Sequence, residues 1–231
     1  MLSDCHDIID RYKALQSRVD QIFVQVTQNH PSCVSCSLGC SDCCHAMFDV
    51  SLIEALHLNR AFAGLDEDRR QDILIRADKA DRQAYKIKKQ LFKKSEAGVS
   101  TEEILREAGE ARIRCPLLSE DNSCELYDER PLTCRLYGVP MQIGADSRTC
   151  GMSGFVGGER YPAVNMDRLH DQLMEMSRDL AARIGSIYPE LEKYLVPVST
   201  ALLTKYDAEY LGVQGQCDND DETGTIPSAD R

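Results

Sequence analysis

The chain has 231 residues and a net charge of −11, from 27 Lys and Arg against 38 Asp and Glu. Such an acidic chain repels phosphate backbones, which argues against nucleic acid as a partner. The one basic run, Lys86, Lys88, Lys89, Lys93 and Lys94, falls on a predicted helix and reads as a solvated face. No stretch approaches the ~18 apolar residues of a membrane span. The opening MLSDCHDIIDRYK has no basic start, apolar run or small-residue cleavage site. The expectation is a cytoplasmic protein with no membrane partner, in a compartment where thiols stay reduced and dense cysteines favour metal over disulfides.

The first predicted element is a helix over residues 3–28. Ile8, Tyr12, Leu15, Val19, Ile22 and Val26 alternate steps of four and three, which is one apolar stripe on a 3.6-residue helix. Asn29, His30 and Pro31 end it. After a cysteine-rich loop, Ser51 and Glu54 form a capping box that opens a short helix to about Phe62, closed near Gly64. Asp66 caps a long helix to about Lys94. Its stripe is Ile73, Ala77, Ala80, Ala84, Ile87 and Leu91, its other faces are charged, and it is expected to form a hairpin arm. Ser100 and Glu103 cap a further helix ending around Gly109.

Residues 112–162 change character. Gly, Pro, Cys and turn residues dominate, with short strands expected at Leu136–Gln142 and Phe155–Val156. Asn165 then caps a helix carrying Met166, Leu169, Leu173, Met176, Leu180 and Ile184 on one face, ended by Gly185. Shorter helices are expected around 190–196 and 199–210. From Gly212 the chain is acidic and polar and is expected to be disordered. The fold class is therefore mainly α: one helical domain over 1–211 with an irregular, loop-rich cysteine region at 33–150, a helical insertion at about 51–110, and an acidic tail over 212–231.

The chemistry lies in the cysteines. Cys33, Cys36, Cys40, Cys43 and Cys44 fall within twelve residues, and Cys115, Cys124, Cys134 and Cys150 follow. Two C-x2-C pairs, Cys33–Cys36 and Cys40–Cys43, each let one tight turn aim two sulfurs at one ion. Zinc and iron–sulfur clusters both ask for about four thiolates per centre, so nine are too many for one tetrahedral ion. Neighbouring side chains such as Cys43 and Cys44 generally point different ways. They serve two centres, bridge two ions, or divide into ligand and bystander. All nine are candidate metal ligands. The later four must return from distant sequence to close the shell, and the entropic cost of that closure grows only logarithmically with loop length.

Other residues rank below these. Arg130 and Arg135 flank Cys134 and could offset thiolate charge, while ordinary surface pairing is equally compatible with their positions. Tyr127 and Tyr137 are expected to pack against the site. His45 could ligate or shuttle protons but reads rather as a solvent-facing or hydrogen-bonded loop histidine, Cys5 as a core thiol of the first helix, and Cys217 as an unligated residue of the tail.

The series Cys36, Cys40, Cys43, Cys44, then C-P-L-L at Cys115, N-S-C-E-L-Y around Cys124 and E-R-P-L-T-C-R-L-Y around Cys134 resembles the YkgJ-like, or CxxCxxCC, family of zinc- or iron-chelating domains. The resemblance covers roughly residues 33–150. It implies metal held by about eight cysteines: Cys36 or Cys33, with Cys40, Cys43, Cys44, Cys115, Cys124, Cys134 and Cys150. The chain departs from the pattern in the three-residue gap between Cys36 and Cys40 and in the helical insertion before Cys115. A similar cluster occurs in flagellin lysine N-methylases. Three functions follow as expectations: a protein binding zinc or iron (an iron–sulfur cluster included), a metal-cluster enzyme of the methylase kind, or a helical interaction module with a structural metal.

Overall fold

The computed structural model describes residues 5–37 and 39–213. The expected acidic tail over 212–231, with Cys217, therefore falls outside the described residues, apart from Gly212 and Val213. Seven α-helices occur among the described residues: α1 (His6–Asn29), α2 (Leu52–Ala63), α3 (Glu67–Glu96), α4 (Thr101–Glu110), α5 (Leu132–Leu136), α6 (Met166–Arg183) and α7 (Val198–Leu203). Five short strands accompany them: β1 (Asp49–Ser51), β2 (Met141–Ile143), β3 (Asp146–Arg148), β4 (Val164–Asn165) and β5 (Leu195–Pro197). β1 pairs with β5 antiparallel, while β2 pairs with β3 antiparallel and with β4 parallel. The fold is mainly α, as the stripes predict.

The stripe of α1 buries Ile8, Tyr12, Leu15, Val19 and Val26. It packs with Leu52, Ile53 and Leu56 of α2, with Leu132 and Leu136 of α5, and with the Leu169–Ile184 face of α6 in the larger core. A second core joins Ala55, Leu58 and Phe62 of α2 to Ile73 and Ala77 of α3 and Ala201 and Leu202 of α7. Helix α2 therefore lies between the two cores, apolar on both sides, as a central helix must be. The partly buried Cys115 and Cys124 pack against the second core.

Helix α3 has two functions along its length. Its first half is held to the cysteine-bearing loops: Arg76 Nε donates to Pro116 O at 2.8 Å, and Arg69 Nη2 meets Glu125 at 2.6 Å. Further along, Lys88 holds Asp49 of β1 at 2.7 Å. Its far end forms the expected hairpin with α4, tied by Lys94 to Glu107 at 2.7 Å, and α4 buries no residue fully.

Four local expectations differ from the structure. The strand expected at Leu136–Gln142 begins only at Met141, because Leu136 closes α5. Phe155–Val156 is not a strand; the Phe155 ring instead meets Tyr161 edge-on at 4.9 Å. The helix expected around 190–196 is one 3-10 turn, Leu191–Lys193, followed by β5. Pro197 biases Val196 toward extended backbone, and pairing with β1 fixes it there. The helix expected over 199–210 stops at Leu203, where Asn59 Nδ2 donates to the carbonyls of Ala201 at 2.9 Å and Thr204 at 3.0 Å. A side chain from α2 thus takes the acceptor a further helical turn would use.

The capping box of α2 is present and has a second task. Glu54 accepts from Ser51 N at 3.0 Å and Ser51 Oγ at 2.9 Å, and also from Leu132 N at 3.1 Å. One buried carboxylate therefore closes the N-termini of both α2 and α5, and α5 carries Cys134. Replacing Glu54 with Ala is expected to cost about 1–3 kcal/mol, the penalty for orphaning buried donors. Urea unfolding of the Glu54→Ala variant should show this as a lower midpoint, with Glu54→Gln falling between it and the native chain.

Candidate metal centre

Backbone pairing brings the two cysteine series together. The chain at 112–115 runs beside 44–46: Cys115 N donates to Cys44 O at 2.7 Å and Ile113 N to His45 O at 2.9 Å. A tight turn then brings Cys124 back beside Cys115. Leu118 bridges Cys124, Glu125 N donates to Leu117 O at 2.8 Å, and the turn is closed by Ser119, Asp121 and Ser123. Asn122 takes the left-handed conformation this turn needs, at φ 62°. Cys134 arrives on the short α5. Cys150 follows the β2–β3 hairpin, with its Sγ 3.4 Å from Asp42 Oδ2.

The thiols line two neighbouring cavities. The narrow one, about 60 Å³, has Cys43, Cys44, Cys115, Cys124 and Cys134 in its wall, against Phe48 and Ala80. The wide one, about 480 Å³, has Cys36, Cys40, Cys43, Cys134 and Cys150, with Asp42 and Tyr137. Cys43, Cys134 and Arg130 stand in both walls. Eight of the nine candidate cysteines are therefore gathered. Cys33 lines neither cavity; its carbonyl accepts from Gly154 N at 2.8 Å and its Sγ lies 4.0 Å from Ser32 Oγ. The nine candidate cysteines are free thiols.

The electrostatics couple the thiols across both cavities, with Cys43 acting on Cys36 as well as on Cys44, Cys115, Cys124 and Cys134. Cys43 and Cys44 Sγ stand 4.0 Å apart. The Cys44 thiol donating to Cys43 holds Cys43 down to about 7 and pushes Cys44 up, with Cys115 and Cys124 adding to the rise. Burial pushes Cys115 up to about 12 and raises Cys124 and Cys134 as well, and neighbouring thiolates reinforce each rise. In the wide cavity burial takes Cys36 up to about 11, with Cys40, Cys150 and Cys43 contributing. Burial also raises Cys150, helped by Asp42.

Desolvation and mutual repulsion thus disfavour joint ionisation of these thiols, and a soft cation would supply the missing opposite charge. The donor set fits zinc or iron, both thiophilic. Among the described residues, no three Cys, His, Asp or Glu side chains converge closely enough to hold an ion as they stand. Closing a shell requires thiol rotation within the cavities.

The two arginines separate sharply. Arg130 faces the thiols, with its guanidinium 3.6 Å from the Tyr127 ring centroid, and its charge favours the thiolates of Cys36, Cys43, Cys124 and Cys134. Arg135 is buried and turned to structure: it donates to Asp20 at 2.6 Å, to Arg130 O at 2.8 Å and to Asp128 O. Tyr137 packs beside the wide cavity as expected, and Tyr127 lines the same wall. His45 bonds Ser41 O at 3.0 Å, a loop histidine. The Asp42–Arg112 pair beside Cys150 escapes sequence reasoning, because 70 residues separate its members and the C-x2-C spacing around Asp42 speaks only for its cysteines.

Gly138 has a steric role. A Cβ there would stand 2.2 Å from Cys36 Sγ, so only glycine lets α5's end close over that thiol. In chelator-treated protein, Gly138→Ala should expel the Cys36 thiol to solvent and return its pKa toward the ordinary ~8.5, which speeds alkylation by about tenfold or more at mild pH. Peptide mapping after timed iodoacetamide labelling reads this, with Cys115 and Cys124 unchanged.

No helix among the described residues is long and apolar enough to cross a membrane. No curated protein and no solved structure matches the chain. Residues 33–151, from the first cysteine of the loop to just past Cys150, match the CxxCxxCC family, whose description reads "putative zinc- or iron-chelating domain". The match spans the cavity-lining thiols together with the α2–α4 insertion, and the chain belongs to the CxxCxxCC family.

Proposed function

We propose that the chain binds zinc or iron at two adjacent thiolate centres. Cys44, Cys115, Cys124 and Cys134 serve the narrow cavity; Cys36, Cys40, Cys43 and Cys150 serve the wide one. The observation that carries this reading is that eight thiols line two neighbouring cavities, with Cys43 and Cys134 standing in both walls. Two four-thiolate sets use all eight, and the adjacent Cys43 and Cys44 then face different ions. Arg130, between the cavities, offsets part of the −2 charge that four thiolates leave on each divalent ion. Cys33 stays outside both sets. Reduced thiols at this density suit a reducing compartment, and the cytoplasm is the proposed location.

Metal would also hold the fold. The loop-rich segment has few ladders of its own, and ligation of Cys115, Cys124 and Cys134 to Cys44 would lock it to the helical core. Anaerobic purification followed by metal and sulfide analysis is expected to give two centres per chain, as zinc alone or as iron with stoichiometric sulfide. Cys44→Ser should reduce the content to one centre, and chelation should lower the melting temperature of the native chain. Metal-free protein of native stability would overturn the reading.

A further inference from the structure

The two cavities differ in what can reach them. The narrow one leaves about 60 Å³, and apart from its thiols, Arg114, Arg130 and Ser199 its wall is apolar, including Phe48 and Ala80. The middle of α3, through Ala80 and Ala84, lines it, and the helix is fastened one to three turns earlier by Arg69 and Arg76 to Glu125 and Pro116. The wide one leaves about 480 Å³ and is bordered by the polar groups of Asp20, Ser37, Asp42 and Asp128. Two of its thiol residues, Cys36 and Cys40, are exposed as residues, although the Cys36 sulfur is itself half-buried, Cys43 is half-buried and Cys150 is buried; Cys44, Cys115, Cys124 and Cys134 are all half-buried.

Exchange of a thiolate-bound ion needs an incoming ligand to reach the ion before the protein thiolates have all left. That step requires room and polar surroundings, which the wide cavity offers to a greater degree than the narrow one. Its thiols also sit beside an oxygen donor: Asp42, held by Arg112 and 3.4 Å from Cys150 Sγ. A carboxylate is a poorer partner for a soft ion than a fourth thiolate, so a shell that can trade sulfur for oxygen is less tightly closed.

We propose that the wide-cavity thiols, with Asp42 beside them, form an exchangeable site that gives up its divalent ion to small chelating ligands, while the narrow-cavity ion stays fixed as part of the fold. The inference rests on the two-centre reading. It makes the chain a carrier of one ion built around a permanent one, with metal ion as cargo at the wide site.

The reduced full-length chain, loaded with Zn(II), is challenged with pyridylazoresorcinol, and zinc release is followed by colour. Release in two phases of equal amplitude is expected. The Cys36→Ser/Cys150→Ser double variant should lose the fast phase and keep the slow one. Timed alkylation of the loaded native chain provides a second readout that needs no variant: Cys36 and Cys40 should be labelled as the first equivalent leaves, and Cys115 and Cys124 only with the second. Release of both equivalents in one phase, or labelling of Cys115 and Cys124 first, would overturn the proposal. A failure of the two-centre reading looks different, because the chain would then not load two equivalents at the start.

Discussion

Eight thiols in two touching cavities carry a charge problem that the rest of the structure is arranged around. Burial pushes Cys115, Cys134 and Cys36 well above the ordinary thiol range, and each neighbour's ionisation makes the next harder. A core built for stability alone would put aliphatic side chains there. Arg130 relieves part of the strain, and Cys43 is pulled low by its neighbour Cys44. The arrangement makes joint ionisation costly without a cation, and its donor chemistry suits a thiophilic one.

The helices present the thiols more than they contribute them. α2 is buried between two cores, and its Glu54 sets the start of α5 and hence the position of Cys134. Arg135, one residue on, fastens the same turn to α1 through Asp20. α3, an insertion by sequence, clamps the Cys115–Cys124 turn and closes one side of the narrow cavity. The insertion that separates the two cysteine series thus becomes a wall of the site they share.

Local physics was legible in the sequence, and long-range pairing was not. The stripes of α1, α3 and α6 predict which residues are buried because helical period and burial are the same fact seen twice. The caps at Ser51, Asp66, Ser100 and Asn165 are realised for the same reason: each partner lies three residues away. The short α7 could not be read, since what stops it is Asn59 from another helix. Arg130 and Arg135 look equivalent around Cys134 until the fold turns one to the thiols and the other to Asp20. The cysteine spacing marks nine candidates, but only the fold puts Cys36 in the wide cavity and leaves Cys33 beside Gly154. Asp42 has no signal at all, because its meaning depends on Arg112 and Cys150.

Anomalous diffraction from crystals of the metal-loaded chain, collected at the absorption edge of the bound metal, tests the central claim most directly. Two separate centres are predicted: one ligated by Cys44, Cys115, Cys124 and Cys134, the other by Cys36, Cys40, Cys43 and Cys150, at the ~2.3 Å of metal–thiolate bonds. A single centre taking both Cys43 and Cys44, or metal bound away from these eight sulfurs, would contradict it.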